Sequence, residues 1–265
     1  MTDHPVRFVQ ISDIHHFGDL ENSLLGVPTH KSFMALLDLL KKDTKQRDFI
    51  LLTGDLSQDG SESSYLHVAE AIKQFTVPVY WVAGNHDNSE VMTHVYPREN
   101  INNLKHIILE HWHIILLDSH IHKHVEGHLD PVQLRFLQNC LDMYPEHHAL
   151  VVFHHHPVSV GSAWLDKIGV NNPDDFWNRL SGHPKLKHIL FGHVHQQVEG
   201  EKNGIKYFST PATCIQFKKH SDQFALDELG PAYRWIELYP DGKLKTEVCR
   251  LNEYIGVFDN SAKGY

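Results

Sequence analysis

The sequence predicts an α/β fold in which a sheet of parallel strands, flanked by helices, packs against a second sheet. Three observations support this prediction. Short apolar runs alternate with helical segments through the first half of the chain, the pattern changes to hairpins after Gly192, and no linker-like stretch separates the two parts. Parallel strands followed by antiparallel strands favour two sheets in contact.

Buried strands are predicted where a short apolar run rich in branched residues is bounded by turn residues. Such runs lie at residues 7–12, 49–53, 79–83, 114–117, 149–153 and 187–191. Helices are predicted where apolar residues repeat at the 3.6-residue period. The three sets are Phe33, Leu36, Leu37 and Leu40; Tyr65, Val68, Ala69 and Ile72; and Leu134, Leu137 and Leu141. The resulting β-α-β-α-β series is typical of parallel strands.

The last quarter of the chain predicts two hairpins. Residues 198–201 and 205–209 are joined through Asn203-Gly204, and residues 233–239 and 244–251 through residues 240–242. Both connections have the composition of tight turns. Residues 120–128 and 159–172 are predicted as loops near the functional site. No repeat or low-complexity stretch interrupts the sequence, so one domain over residues 1–265 is the simplest interpretation.

Composition limits the function classes. The formal charge of −9, from 24 Lys and Arg against 33 Asp and Glu, argues against a nucleic-acid partner, because backbone binding needs a basic stripe. No apolar stretch has the length of a membrane span, so no membrane partner is expected and the cytoplasm is the expected compartment. Cys140, Cys214 and Cys249 are far apart, so neither disulfides nor a thiolate zinc site is indicated. The oligomeric state cannot be read from the sequence.

Histidine is unusually frequent, with 24 residues dispersed along the chain. Those in polar surroundings are predicted to be solvated surface residues, namely His4, His30, His67, His94, His147 and His220.

Other histidines and carboxylates follow five of the predicted strands, at the point where each strand ends. The motifs are Asp13-x-His15, Gly54-Asp55, Gly84-Asn85-His86-Asp87, His154-His155-His156 and Gly192-His193-x-His195. Because open α/β sheets bind ligands at the carboxyl ends of their strands, these side chains are expected to converge. Asp13 and His15 are expected to point the same way, since residues two apart share a face of extended backbone.

Each motif alone is also explained by a turn or a helix cap. A turn leaves His86 and Asp87 unexplained, however, and the joint occurrence of five motifs at strand ends indicates one site. Imidazole, carboxylate and amide ligands suit iron(II), manganese, zinc or cobalt. Two ions roughly 4 Å apart can hold a hydroxide and stabilise both oxygens of a phosphoryl displacement. Seven candidate ligands fit two ions if one carboxylate bridges: Asp13, His15, Asp55, Asn85, His154, His193 and His195.

The order of these motifs resembles that of the calcineurin-like metallophosphoesterases. The resemblance implies a four-layer αββα sandwich, with two mixed sheets between helices. It assigns Asp13, His15, Asp55 and His195 to the first metal and, with Asp55 as the bridge, Asn85, His154 and His193 to the second. His86 would contact the phosphate and assist the leaving group, with Asp87 orienting it. Because the family's ligand directly follows its strand, His154 is chosen, and His155 and His156 are given supporting or structural roles.

Further segments resemble the class III cyclic-AMP phosphodiesterases within that family. They are residues 24–27, 54–59, 154–157 and 210–217. The resemblance implies hydrolysis of 3′,5′-cyclic AMP to 5′-AMP by a hydroxide held between two metals, with iron(II) first among the candidate ions. The residues expected to contact the substrate are His15, Asp55, Asn85, His86, His154 and His195.

Two alternatives stay open. The first is a broader phosphodiesterase for glycerophosphodiesters, aryl phosphodiesters or 2′,3′-cyclic nucleotides, because one metal core serves several substrates. The second is a non-catalytic scaffold, which would be expected to have lost ligands. Walls around a nucleobase are expected at residues 25–29, 159–164 and 213–217, although Ile215 and Phe217 equally fit the core of an ordinary strand.

Overall fold

The structure is a computed structural model that describes residues 4–253, 255–257, 259, 262 and 264. Its helices are α1 (Thr29–Lys42), α2 (Glu62–Ile72), α3 (Ser89–Val95), α4 (Pro131–Met143) and α5 (Pro173–Leu180), with a 3₁₀ turn at Leu165–Lys167. Its strands are β1 (Val6–Ile11), β2 (Ser23–Leu24), β3 (Val27–Pro28), β4 (Phe49–Thr53), β5 (Val79–Val82), β6 (His106–Ile108), β7 (Trp112–Leu116), β8 (His148–Val152), β9 (Leu186–Phe191), β10 (Glu199–Lys202), β11 (Ile205–Ser209), β12 (Gln216–Phe217), β13 (Leu226–Asp227), β14 (Ala232–Leu238) and β15 (Leu244–Arg250).

Two mixed sheets form the centre of the molecule. The first has the strand order β15-β14-β1-β4-β5, and the second has the order β10-β11-β9-β8-β7-β6. The parallel strands β1, β4 and β5 lie in the first sheet, and the parallel strands β7, β8, β9 and β11 lie in the second. The antiparallel hairpin strands extend the edges of both sheets. The carboxyl ends of both parallel sets therefore deliver their loops to one region.

Helices cover the outer face of each sheet, which gives four layers. α1 and α2 bury Phe33, Leu37 and Tyr65 in one apolar cluster with Val9 and Ile50 of the first sheet. α4 and α5 bury their apolar sides in a second cluster against the second sheet. A third cluster lies between the sheets and joins side chains such as Phe8 and Leu190. The αββα sandwich predicted from the sequence is confirmed.

Local sequence explains where the helices begin. The Asp130 carboxylate accepts hydrogen bonds from the backbone N–H groups of Val132 and Gln133, and Pro131 occupies the first helical position of α4. The Ser61 hydroxyl accepts from the Ser64 N–H at the start of α2. Both residues supply acceptors to amides that have no partner inside the helix.

Two polar side chains connect the sheets through the buried interior. Gln10 on β1 donates from Nε2 to Thr53 Oγ1 and to the Phe191 carbonyl at the end of β9, both at 3.0 Å. Arg234 on β14 is fully buried and donates from Nε and Nη2 to the Ser209 carbonyl on β11. These bonds hold the sheets in one register because a buried donor without an acceptor is costly.

The predicted strands and hairpins are present to within one or two residues. Helices α3 and α5 and the two-residue strands were not predicted, since such short elements carry too few residues for a periodic pattern. The surface prediction is wrong for His30 and His67, which pack around the buried His16 with ring centroids 5.2 and 5.4 Å away. His147 is partly exposed and contacts the Tyr144 ring.

The prediction of one domain over residues 1–265 extends beyond the residues that the structure describes, and it stays a prediction. Within residues 4–253 and the six described positions that follow, no helix has the length and apolar character needed to cross a membrane.

Candidate metal centre

The five motifs meet in one buried centre between the ends of the two sheets. Backbone hydrogen bonds tie their loops together: the Asp13 N–H donates to the Gly54 carbonyl at 3.0 Å, and the His15 N–H donates to the Asp55 carbonyl at 2.8 Å. The Gly192 N–H donates to the His154 carbonyl at 3.0 Å across the second sheet. The structure therefore brings all seven candidate ligands together.

The backbone reason given for the Asp13 and His15 pair is wrong. These residues are not extended, because their φ angles are 55° and 49°. Asp55, His193 and His195 have φ angles of 50°, 67° and 47°. A side chain in this left-handed region typically costs about 1–3 kcal/mol, and such residues cluster at functional sites. Tight left-handed turns, rather than strand alternation, aim these side chains inwards.

The first half of the centre is formed by Asp13, His15 and His195. His195 Nε2 lies 3.4 Å from Asp13 Oδ1 and 3.1 Å from His15 Nε2. His15 Nε2 lies 3.7 Å from Asp55 Oδ2, and every one of these side chains is buried.

The second half is formed by Asn85, His154 and His193. His154 Nε2 lies 3.2 Å from Asp55 Oδ2 and 3.3 Å from Asn85 Oδ1. The His193 ring packs 5.1 Å from the His154 ring, and within the described residues its Nε2 is buried without a hydrogen-bond partner. Asp55 lies within 4 Å of histidines from both halves, which is the position that a bridging carboxylate requires.

Hydrogen bonds on the far side of three imidazoles decide which nitrogen faces the centre. His154 Nδ1 lies 2.8 Å from the Thr53 carbonyl, and His195 Nδ1 lies 2.9 Å from the Ile215 carbonyl. His15 Nδ1 lies 2.6 Å from Gln58 Oε1. Because these oxygens only accept, each Nδ1 carries its hydrogen. In the neutral ring, Nε2 then presents a lone pair to the centre.

This donor set fits metal ions. The lone pairs of His15 and His195 face each other at 3.1 Å, which is unfavourable unless a cation lies between them. Four groups of His, Asp and Cys side chains at this centre have ligand atoms within 4.8 Å of one another. A buried cluster of imidazoles and carboxylates is typical of a borderline transition metal site.

The electrostatics agree with that interpretation. Burial lowers the pKa of His15 to about 3, so this ring is neutral and able to bind a metal. Burial alone would also lower the pKa of His154, but the carboxylates of Asp55 and Asp13 outweigh it and raise this pKa to about 9. Burial opposes ionisation of Asp55, yet the neighbouring histidines hold its pKa well below the usual value. Two buried carboxylates thus attract positive charge to the point where the rings converge.

The three consecutive histidines differ in their contacts. His155 uses both ring nitrogens elsewhere, with Nδ1 2.8 Å from Ser119 Oγ and Nε2 3.1 Å from the Val125 carbonyl. His156 is buried and lies nearly parallel to the His193 ring at 5.7 Å. His155 is close enough to His193 to form part of a metal-ligand group. Of the three, His154 is the one whose Nε2 lies 3.2 Å from Asp55 Oδ2. The contacts favour His154 as the ligand.

His86 lies at the edge of the centre. Its ring contacts the His15 ring edge-on at 4.9 Å, and its backbone N–H donates to Asp55 Oδ1 at 2.9 Å. The ring is only partly buried, so it is accessible to a substrate that reaches the metals.

Asp87 holds the loops around His86 together. Its carboxylate accepts from the backbone N–H groups of Leu56, Ser57 and Gly84 at 2.9–3.2 Å and from the Tyr65 hydroxyl at 3.2 Å. Burial and the charge of Asp55 raise the pKa of Asp87 to about 7, against the effect of these amides. Asp87 thus fixes the loop that carries His86 to the loop that follows Asp55.

Several residues at the centre were missed from the sequence. Cys214 is buried next to His15 and His195, and its thiol donates to the Asp13 carbonyl at 3.4 Å. Burial raises the pKa of the Cys214 thiol well above its usual value. Gln58 and Thr53 orient ligand rings. Gln58 was visible as a polar residue three positions after Asp55, whereas the Thr53 and Ile215 carbonyls carry no sequence signal.

Comparisons with known proteins agree with this geometry. Residues 6–197 match the family model described as calcineurin-like phosphoesterase. The chain is 41% identical to the 3′,5′-cyclic adenosine monophosphate phosphodiesterase CpdA of Haemophilus influenzae, over 94% of this chain and 91% of that protein. It is 39% identical to the Escherichia coli K12 protein of the same name, over 98% and 95%. It is 38% identical to that of Pseudomonas aeruginosa, over 100% and 97%.

Among solved structures, the fold is similar to that of a dimetal phosphatase from Danio rerio. The TM-score is 0.64 at 16% identity, with 94% of this chain and 99% of the other covered. At that identity the likeness concerns the fold alone.

Proposed function

This chain belongs to the calcineurin-like phosphoesterase family, and on that premise we propose that it hydrolyses 3′,5′-cyclic AMP to 5′-AMP. The observation that carries the proposal is similarity to phosphodiesterases of that name at 38–41% identity along nearly the whole chain. The buried cluster of imidazoles and carboxylates supplies the chemistry that such a reaction needs.

The family implies a centre for two metal ions, and we assign the ligands from the contacts above. Asp13, His15, Asp55 and His195 would hold the first ion. Asp55 would bridge to the second, held by Asn85, His154 and His193. Bound metals lower the pKa of water towards neutrality and neutralise negative charge on the phosphate. The mixed imidazole and oxygen donors support iron(II), with manganese, zinc and cobalt as alternatives.

The residues around the metals would bind and orient the cyclic phosphate. We propose that His86 donates a proton to the 3′ oxygen as it leaves, because its accessible ring lies beside His15 and its backbone is bonded to Asp55. Asp87 is proposed as the residue that fixes this loop. The substrate would also lie against His15, Asp55, Asn85, His154 and His195.

The cyclic phosphodiester is proposed as the only partner that the site requires, with no nucleic acid or membrane component. All three cysteines are without disulfides. Reduced cysteines are typical of the cytoplasm, which supports that compartment as the place of action.

The proposal is tested by product analysis with 3′,5′-cyclic AMP under added iron(II), manganese or zinc. We expect 5′-AMP as the sole product, formed only when metal is added. The variant His154→Ala should lose this metal-dependent activity. The matched control is His94→Ala, since His94 is an exposed histidine on α3. Efficient cleavage of bis(p-nitrophenyl) phosphate with negligible cleavage of 3′,5′-cyclic AMP would favour a broader phosphodiesterase. Metal binding without any hydrolysis would favour a scaffold.

A further inference from the structure

A cavity of about 240 Å³ opens directly beside the metal centre. Asn85, His86 and His193 line the side facing the metals, and Trp164, Phe217 and Phe224 line the opposite side. Val125 and Ile168 complete an apolar wall, and Gly264 also lines it. We call this space the aromatic chamber. A group held there would project from a phosphate bound at the centre.

The three aromatic rings of the chamber form one mutually packed unit. Trp164 meets Phe217 at 4.9 Å with an interplanar angle of 75°, and it meets Phe224 at 5.3 Å and 69°. Phe217 and Phe224 are 5.5 Å apart at 66°. Edge-to-face packing of this kind is favourable and fixes ring orientation. The three residues come from different segments of the chain, and the short strands β12 and β13 pair Phe217 with Leu226, two residues beyond Phe224.

Phe217 also connects the chamber to the metal centre. Its ring lies nearly parallel to the His195 imidazole, with centroids 4.2 Å apart and an interplanar angle of 11°. One face of Phe217 is thus covered by a proposed metal ligand. A substitution of Phe217 would disturb both the metal site and the chamber, so Trp164 and Phe224 are the residues that report on the chamber alone.

Trp164, which lines this apolar wall, carries one polar atom. Its indole Nε1 is buried and has no hydrogen-bond partner among the described residues. A buried donor without an acceptor is costly. By contrast, Trp177 donates its Nε1–H to the Pro157 carbonyl at 3.0 Å. The chamber therefore suits a flat apolar group that carries an acceptor.

We propose that the aromatic chamber is the nucleobase subsite, in which the adenine ring packs against Phe224 and Trp164 and accepts a hydrogen bond from the Trp164 indole N–H. This inference rests on the proposed function and names the residues that select the organic part of the diester. An aromatic wall alone would also suit a quaternary ammonium group. Such a group has no acceptor for the indole N–H, whereas every purine ring nitrogen not attached to the sugar is one.

The position of the chamber explains how base recognition is kept apart from chemistry. Trp164 and Phe224 do not belong to the proposed ligand set, so they would contribute binding energy equally to the substrate and to the transition state. Loss of such uniform binding raises KM and leaves kcat unchanged. Base stacking on one aromatic ring is typically worth a factor of roughly 10–100 in affinity, and one neutral hydrogen bond a factor of roughly 3–10.

The test compares Phe224→Ala and Trp164→Phe with the wild-type protein on two substrates. The first is 3′,5′-cyclic AMP. The second is methyl ribofuranoside 3′,5′-cyclic phosphate, which has the same cyclic phosphate ring but a methoxy group in place of the base. We expect Phe224→Ala to raise KM for cyclic AMP roughly 10-fold or more and Trp164→Phe to raise it roughly 3-fold or more. Neither variant should change kcat or the kinetics of the base-free substrate. The matched control is Phe136→Ala, a partly buried phenylalanine that lines a different cavity.

Binding of 5′-AMP, measured by calorimetry, separates this inference from the proposed function. If the wild-type protein left cyclic AMP intact but Phe224→Ala still weakened 5′-AMP binding, the proposed function would fail and the subsite would stand. If cyclic AMP were cleaved and both variants kept wild-type KM, the subsite would be refuted and the activity would stand. An equal loss of activity on the base-free substrate would also refute it. A larger loss of activity on glycerophosphocholine than on cyclic AMP in these variants would refute it as well, because that result would assign the chamber to an ammonium group.

Discussion

Replacing Gly54 with alanine should detach His154 from the centre, and the structure supplies an internal control for the strain involved. Gly54 has φ +92°, and a Cβ added there would lie 2.3 Å from His154 Nδ1. Gly204, in the turn between β10 and β11, has φ +77°, and nothing lies within 4 Å of an added Cβ. An alanine at either position carries left-handed strain of about 1–2 kcal/mol, but only Gly54→Ala forces a side chain to move.

The size of that movement follows from the contact. The His154 ring must retreat by about 1 Å to restore an ordinary separation from the new methyl group. That shift breaks the 2.8 Å hydrogen bond from His154 Nδ1 to the Thr53 carbonyl, at a further cost of about 1 kcal/mol. Loss of the partner that orients a metal-binding histidine typically lowers metal affinity by roughly 10- to 100-fold.

The assay has two parts. Competition with a chelator, followed by elemental analysis of the retained metal, gives the affinity, and chemical denaturation of the metal-free protein gives the free energy of unfolding. We expect both variants to lose stability, Gly54→Ala by about 1 kcal/mol more, and only Gly54→Ala to lose metal affinity. Wild-type metal affinity in Gly54→Ala, or an equal loss in Gly204→Ala, would refute the reasoning.

Three further predictions concern other parts of the molecule. His86→Ala should lower kcat for cyclic AMP roughly 10²- to 10⁴-fold by removing a proton donor, while elemental analysis finds unchanged metal content; wild-type kcat would exclude the assigned role. Arg234→Met should lower the free energy of unfolding by roughly 3 kcal/mol, because the Ser209 carbonyl loses both buried donors; a urea-denaturation midpoint equal to that of the wild type would contradict this. Burial lowers the pKa of Lys105 to about 7, from an ordinary value of 10.5. Between those values the unfolded chain binds the extra proton, so the wild-type protein gains stability as pH rises from 7 to 10. Lys105→Met should lack that gain when the free energy of unfolding is measured by denaturation across the same pH range. If the stabilities of the two proteins changed with pH in parallel, the prediction would be contradicted.

The layered fold and the set of candidate ligands could largely be predicted from the sequence. Strands such as β4 and β9 are unbroken apolar runs, and the polar residues that follow them have no role in a buried strand. Both signals are local, since side-chain periodicity and strand ends are properties of a few consecutive residues. The family resemblance then divided the ligands between two ions, and the contacts of Asp55 with histidines on both sides agree with that division.

Features that depend on backbone geometry and packing could be predicted less well from the sequence. Asp13 and His15 converge through left-handed turns, which no propensity of Asp or His would predict over extended structure. His30 and His67 occur in polar sequence but pack against His16, because a side chain's burial depends on which helix lies above it. Asp87 holds three backbone amides from two loops that lie far apart along the chain.

The sequence by itself determined which residue types reach the end of each strand, and therefore that a phosphoester-hydrolysing metal centre was to be expected. Only the tertiary structure decided which nitrogen of each histidine faces that centre and that Trp164, Phe217 and Phe224 form one chamber. Each of these features depends on atoms far apart along the chain, such as Thr53 with His154 or Ile215 with His195. Such contacts are fixed by the packing of the two sheets, and no local pattern of residues encodes them.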